Sequence, residues 1–355
     1  MKKIYLSAVF ALVLGACSTT ALAQVNGGRQ VFQFLTLSPS ARATALGGAQ
    51  ISVRDEDVSL AALNPAALNP LMDGRLAFNH NFFLTDIQHG YVAYAHTLPK
   101  INMTVQGGIQ YLNYGDIVRA DEYGNRIGTV PASENAFLLG AARPLSDKLT
   151  LGLNARMAFS RLDMARASAL STDIGLMYAD TVKRMNIAFV WRNLGTQTAN
   201  YFDTKEAMES NLQIAFSKRL RYLPFRLSVL AHTLNRWDIR YDDPALEDDQ
   251  VLSIGGDNTD QDKGNPGVDN FFRHFIFNGE FLLGRNESFR LRIGYNHMRK
   301  RELTVRNYRS LAGFSGGVGI KINRFRLDVG YGSYHLAGGV MHLGLSTNLK
   351  DFFRV

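Results

Sequence analysis

Cysteine is almost absent from this 355-residue chain: Cys17 is the only one. No intramolecular disulfide can form, and no cysteine-based metal site can be built. Long apolar runs are missing beyond the N-terminus. No stretch there reaches the roughly 18 uncharged apolar residues that a membrane-spanning helix needs, so this chain can cross a bilayer only as a closed barrel. Catalytic spacing is missing as well. The eight histidines contain no H-E-x-x-H pair. His80, His89 and His96 fall in or near early strand-like runs and His335 and His342 near the last ones, where rim or lumen positions account for them. The glycine-rich run 313–319 lacks the Gly-Lys-Ser/Thr ending of a phosphate loop, and no serine stands in a marked context. The expectation is a non-enzymatic protein with no cofactor and no metal.

The N-terminus has the makings of an export signal. Lys2 and Lys3 precede an apolar stretch over 4–16, and Ala21-Leu22-Ala23 forms an A-x-A-like cleavage site. Residues 1–23 are read as a signal peptide, with the mature chain starting at Gln24. Leu14-Gly15-Ala16-Cys17 offers a competing lipoprotein-type site, which would leave Cys17 lipidated. The formal charge is +8, and two of those charges leave with Lys2 and Lys3. A basic balance suits nucleic acid, lipid phosphates or a basic lumen, and export argues against nucleic acid.

What is present is a rhythm. From Arg75 onward, strand-like runs alternate with connections that are short at one end and mostly long at the other. The short ones are 97–100, 144–147, 181–183, 221–223, 284–286 and 323–324; the long ones are 113–132, 161–167, 195–207, 235–270 and 299–312. Tight turns on one side and long loops on the other are how an outer-membrane barrel is built. The predicted fold is all-β, a transmembrane antiparallel barrel of about 14 strands over 75–355. The strands are placed near 75–83, 88–96, 101–112, 133–143, 148–160, 168–179, 184–193, 208–219, 224–234, 271–283, 287–298, 313–322, 325–334 and 338–349. Several alternate strictly: Phe325, Leu327, Val329 and Tyr331 oppose Arg326, Asp328, Gly330 and Gly332. Arginines recur on the polar face, at Arg156, Arg192, Arg226, Arg290, Arg292 and Arg326, with lumen acids such as Asp173, Glu280 and Asp328, and a plug, as partners. With the N-terminal segment in the periplasm, an even strand count puts the short turns there and the long loops outside.

Residues 24–74 differ from the rest: small residues dominate, with Gly47-Gly48 and two Asn-Pro steps as breakers. They read as a plug inside the barrel or, alternatively, an extension packed beneath it. The loop 235–270 is the main functional candidate. It carries Trp237, Tyr241, Asp242, Asp243, Asp248 and Asp249 as candidate partner-binding residues, since loops this long are functional or disordered. Its Asp260-Gln261-Asp262-Lys263-Gly264 approaches a calcium loop, but the glycine falls one residue late. The next loop is basic, with Arg299, Lys300, Arg301, Arg306 and Arg309; it either pairs with the acidic loop or binds lipopolysaccharide phosphates.

Ser40-Ala41-Arg42, Leu46-Gly47-Gly48-Ala49, Asp57 and Asn64-Pro65-Ala66 resemble the N-terminal signature of FadL-type outer-membrane barrels. Within that family, Phe289-Arg290-Leu291-Arg292-Ile293-Gly294-Tyr295-Asn296-His297, Arg301-Glu302-Leu303, the run 313–319 and Arg324-Phe325 are similar to the PorQ-type barrels of the type IX secretion system of Bacteroidota. The resemblance covers nearly the whole mature chain. It implies a fourteen-stranded barrel with an N-terminal hatch, in which Ser40, Arg42, Gly47, Gly48, Asn64 and Pro65 are the hatch motif. It also implies a non-enzymatic role, anchoring a PorZ-like surface protein of the attachment complex together with PorU- and PorV-like components. That complex processes secreted cargo and joins it to lipopolysaccharide. The wider family implies the alternative, a transport channel for hydrophobic small molecules.

Overall fold

A computed structural model describes residues 30–83, 86–202, 204–240, 266–303, 310–335 and 338–353. The signal-peptide region and Cys17 therefore lie outside the described residues. Fourteen antiparallel strands close into one barrel. In chain order they are β2 (Arg75–Phe82), β3 (Gln88–Leu98), β4 (Met103–Asn113), β7 (Ala132–Pro144), β8 (Leu149–Leu162), β9 (Ala165–Asp180), β10 (Met185–Ala199), β12 (Asn211–Arg219), β13 (Phe225–Ala231), β14 (Phe275–Leu283), β15 (Phe289–Asn296), β16 (Phe314–Ile322), β17 (Phe325–His335) and β18 (Gly338–Asn348). Each pairs with its sequence neighbour in the barrel, and β18 closes against β2 in a register running from Met341↔Phe82 to Asn348↔Arg75. The remaining strands are minor: β1 (Gln30–Val31) pairs with β11 (Ala207–Met208), and β5 (Ile117–Ala120) pairs with β6 (Arg126–Val130).

Period-two patterning decides which way each residue faces. On β17, Phe325, Leu327, Val329 and Tyr331 are 41–51% exposed, while Arg326 is buried. The same apolar outward band recurs on β15 with Phe289, Leu291 and Ile293, and on β18 with Met341, Leu343 and Leu345. A soluble monomer rarely shows contiguous apolar patches beyond a few hundred Å². A band circling a closed barrel belongs against lipid, which makes this an outer-membrane protein.

The lumen face is not uniformly polar. Ala77, Ala93, Ala95, Ala142, Ala188 and Ala215 point inward, because the lumen is filled by the chain's own residues 32–72. Small wall residues leave room for it: a Cβ on Gly330 would overlap the Ala41 carbonyl, and one on Gly152 the backbone at Pro65. This inner segment begins at the long-loop end, where β1 meets β11, and leaves at the turn end, where Gly74 leads into β2. Its described start thus lies opposite the periplasmic end assumed from the strand count. Much of it is not regular helix, so its buried backbone needs partners. Wall side chains supply them: Asn154 Nδ2 donates to the Ala61 carbonyl at 3.0 Å, Asn186 Nδ2 to Ser52 at 2.9 Å and Gln110 Nε2 to Phe34 at 2.8 Å.

Some boundaries differ from the sequence expectation. The stretch 161–167 is no long loop: β8 and β9 stay paired to Leu162↔Ala165, leaving a two-residue turn in which Asp163 adopts φ +55°. Likewise β10 continues to Ala199, shortening the loop expected over 195–207. Residues 271–273 are helical rather than the start of a strand. They end the helix α2, Pro266–Arg273, and proline's fixed φ suits a first helical turn. The strand expected over 287–298 stops at Asn296, whose Oδ1 accepts from Arg299 N at 3.1 Å and so starts the helix α3, His297–Glu302. Among the described residues no helix is long and apolar enough to cross a membrane.

Candidate functional site

The inner-segment motif shapes that segment locally. Ser40 Oγ accepts from Ala43 N at 3.1 Å and caps the short helix α1, Ala41–Ala45. Gly47 and Gly48 then take φ +91° and +100°, with Gly48 N donating back to the Ala43 carbonyl at 2.8 Å. Left-handed φ at the end of a helix is where glycine carries no Cβ penalty. Asn64 accepts from Ala66 N at 2.9 Å and donates to the Ile51 carbonyl at 2.7 Å, and Pro65 opens a single 3₁₀ turn.

Arg42, by contrast, is a hub. Its guanidinium bonds both oxygens of Asp55, at 3.1 and 2.8 Å, both oxygens of Glu280 on β14, at 3.0 and 2.9 Å, and Asp57 at 3.3 Å. Glu280 also accepts from Arg226 on β13 and from Arg292 on β15, each at 2.9 Å. Arg292 continues to Asp328 at 2.5 Å, while Glu56 receives Arg290 at 3.1 Å and Arg326 at 3.2 Å. Elsewhere in the wall, Arg156 pairs with Asp173 at 2.7 Å and donates to the Ala62 carbonyl. Of the strand arginines and lumen acids read from the sequence, Arg156 meets Asp173, Arg226 meets Glu280, and Arg292 meets Glu280 and Asp328, whereas Arg290 and Arg326 take Glu56 and Arg192 has no carboxylate within 4.0 Å among the described residues. Pairing of the wall arginines with the inner segment is expected from the sequence, but its acids Asp55 and Glu56 are not singled out there. Their signal was adjacency to Asp57, which the sequence resemblance already includes.

At the long-loop end, Trp237 is held rather than loose. Its carbonyl accepts from Asn270 Nδ2 at 2.7 Å and contacts His274 Nε2 at 3.0 Å, and its ring stacks on His274 at 5.2 Å. The indole is nonetheless 61% exposed, beside the half-exposed Phe271 and Phe272. Asn270, Phe271 and His274 come from α2 and the step into β14. A proline opening a Val-Asp-Asn-Phe-Phe-Arg run was the available helix signal. Tyr241, Asp242, Asp243, Asp248 and Asp249, the calcium-like stretch, Arg306 and Arg309 lie outside the described residues. Of the basic loop, Arg301 pairs at 2.6 Å with Asp269, itself a residue of the 235–270 loop, and Arg299 lies 4.4 Å over the Tyr334 ring. Burial alone would raise the Asp269 carboxyl, but hydrogen bonding and charge from Arg273, with Arg301, hold it below the ordinary carboxylate range.

A cavity of about 350 Å³ opens at this end between the inner segment's Gly47–Ala49 and the wall, lined by Arg192, Arg236, Arg299, Glu209 and Glu302 among others. No group of three or more His, Cys, Asp or Glu able to hold a metal occurs among the described residues.

No protein-family model matches the chain, and no curated protein is significantly similar to it. Among solved structures it is similar to a variant of the TodX monoaromatic hydrocarbon channel, at 11% identity and TM-score 0.49, over 88% of this chain and 97% of that one. It is similar to a FadL homologue of Pseudomonas aeruginosa at 9% identity and TM-score 0.47, over 87% and 98%. The KdgM porin follows at 5% identity and TM-score 0.34, over 77% and 98%. On its own geometry, with fourteen strands closed by β18 on β2 and an apolar outer band, the chain is an outer-membrane β-barrel whose lumen is filled by its own N-terminal segment.

Proposed function

We propose that this barrel is a non-enzymatic anchor of the type IX secretion system. In this reading it holds a PorZ-like surface partner of the attachment complex at the outer membrane, near PorU- and PorV-like components and lipopolysaccharide. The observation that carries the reading is the ion cluster around Arg42, which ties the inner segment to three wall strands. A lumen occupied and locked in this way favours a structural barrel over a conduit and moves function to the outer rim. There Trp237 is a pre-positioned aromatic, the residue type that dominates protein interfaces. The PorQ-like run over 289–297 supports the same reading.

The test uses cells in which partner and barrel are both present. Trp237→Ala, and separately removal of 242–262, should release the partner from the cell surface while the barrel still assembles. Full retention in both variants sinks the anchoring role of this rim.

A second reading is a transport channel for hydrophobic small molecules. The cavity bounded by Gly47–Ala49 favours it, because a shift of that turn would lengthen an existing opening. Uptake of labelled fatty acid by cells carrying only this barrel, above that of cells without it, would support the channel and count against the sealed anchor.

A further inference from the structure

One buried arginine of the barrel wall stands apart. Arg42, Arg156, Arg226, Arg290, Arg292 and Arg326 each have a carboxylate within 4.0 Å. Arg192, on β10, has none among the described residues, although only 5% of it is exposed. Its one protein acceptor is the Leu35 carbonyl, at 3.2 Å from Nη2, and its Nε has no partner. Leaving a guanidinium buried and unpaired is among the costlier arrangements a protein can hold. Such a group persists where something outside the described chain completes it.

Arg192 lines the 350 Å³ cavity at the long-loop end, and so do Arg236 and Arg299. The Arg236 Nε is likewise buried without an acceptor, and the Arg299 guanidinium lies over an aromatic ring rather than an acid. Two further lining groups are orphaned, Gln213 Oε1 and His232 Nε2. The unmet needs are thus mixed: guanidinium donors seeking an anion, and an amide oxygen seeking a hydrogen-bond donor. Against Glu209 and Glu302 at the same cavity, the three arginines leave a net formal charge of one positive. A bare anion would satisfy only half of this set. A polyol carrying one anionic group satisfies all of it, because guanidinium binds carboxylate or phosphate through paired bonds while hydroxyls donate to amide oxygens.

We propose that the outer mouth of the barrel is a binding site for a small acidic or phosphorylated saccharide, with Arg192 as the buried anion contact and Arg236 and Gln213 completing it. The saccharide comes either free from the medium or as part of a surface glycolipid; both present the same phosphosugar chemistry. The inference does not depend on the anchoring role proposed above.

Titration calorimetry on the detergent-solubilised full barrel tests it, with glucose 6-phosphate, glucose, inorganic phosphate and deacylated core oligosaccharide of lipopolysaccharide as separate probes. Saturable binding of glucose 6-phosphate or of the phosphorylated oligosaccharide is expected, with glucose at least tenfold weaker. Preference between those two probes identifies the source. Arg192→Gln should weaken binding by about ten- to a hundredfold, the scale of a lost charged hydrogen bond. It removes an uncompensated charge, so the barrel should fold at least as well as the parent. Arg236→Gln, nearer the rim, provides a second reading of the same loss. Absence of binding by every probe overturns the proposal, as does equal binding by the parent and both variants. Binding that appears only after removal of 242–262 overturns it too, since acids of the chain itself would then be the natural occupant.

Discussion

Arg42 and Glu280 lie 238 residues apart in the chain and meet in a two-point ion pair, Nε to Oε1 at 3.0 Å and Nη2 to Oε2 at 2.9 Å. The pair joins the inner segment to strand β14, and through Glu280 it reaches β13 and β15 as well. Two charges this deep are costly to desolvate, so the arrangement holds only because every member has partners.

Breaking that pair should therefore loosen the segment from the wall. Arg42→Met strips Asp55 and Asp57 of their central cation, and removing one partner of a buried pair costs about 3–5 kcal/mol. The temperature at which the compact band converts to the unfolded band on a denaturing gel should fall by several degrees. Protease should also reach residues 40–60 in the folded barrel. A variant with the parent's melting and protease pattern would mean that the cluster does not hold the segment.

Close approach gives a second expectation. Gly330→Ala places a Cβ on the Ala41 carbonyl, a backbone atom that cannot move aside, whereas Gly316→Ala meets its nearest neighbour, the Arg292 carbonyl, at 3.5 Å. The first should unseat α1 and lower the unfolding temperature. The second should be close to neutral, within about 0.5 kcal/mol. Equal behaviour of the two variants in the same gel assay would contradict the packing of α1 on β17.

The rim tryptophan can be followed optically. Only Trp191 and Trp237 occur in the chain. In a Trp191→Phe background, Asn270→Ala removes the amide that donates to the Trp237 carbonyl at 2.7 Å and accepts from Ile239 N at 3.2 Å. Emission should shift to the red and iodide quenching should rise. An unchanged spectrum would show that α2 does not position the indole.

Acidity should act on α2. Asp269 faces Arg273, Arg301 and His297, and its carboxyl is held below the ordinary carboxylate range. A carboxyl with a lowered folded-state pKa contributes stability above its unfolded value and loses it as pH falls through the folded one. Amide-exchange protection of 266–273, corrected for intrinsic rates, should hold from neutrality down to the ordinary carboxylate range and fall below it. Asp269→Asn should show reduced protection at neutrality and no such step. A step in the Asn variant would assign the titration to another group.

Patterning along the chain was enough to read the barrel, because facing in a strand is a local property. Phe325, Leu327 and Val329 alternate with Arg326 and Asp328 whatever lies across the lumen, and fourteen such runs need only be counted. The turn at 163–164 escaped because Arg161, Asp163 and Arg166 look like loop residues, yet at the barrel's end polar side chains remain compatible with pairing. The helix α2 escaped because its aromatics, Phe271 and Phe272, fit a strand as readily as a helix.

The amino-acid order by itself determined the all-β class, the strand number, which faces meet lipid and that arginines would line the interior. Only the tertiary structure decided that Arg42 takes Asp55 and Glu280, that the described inner segment starts at the long-loop end, and that Arg192 has no acid beside it among the described residues. Those outcomes depend on which residues, hundreds of positions apart, the closed cylinder brings within a few ångströms, and charge pairing at that range carries no period in the chain.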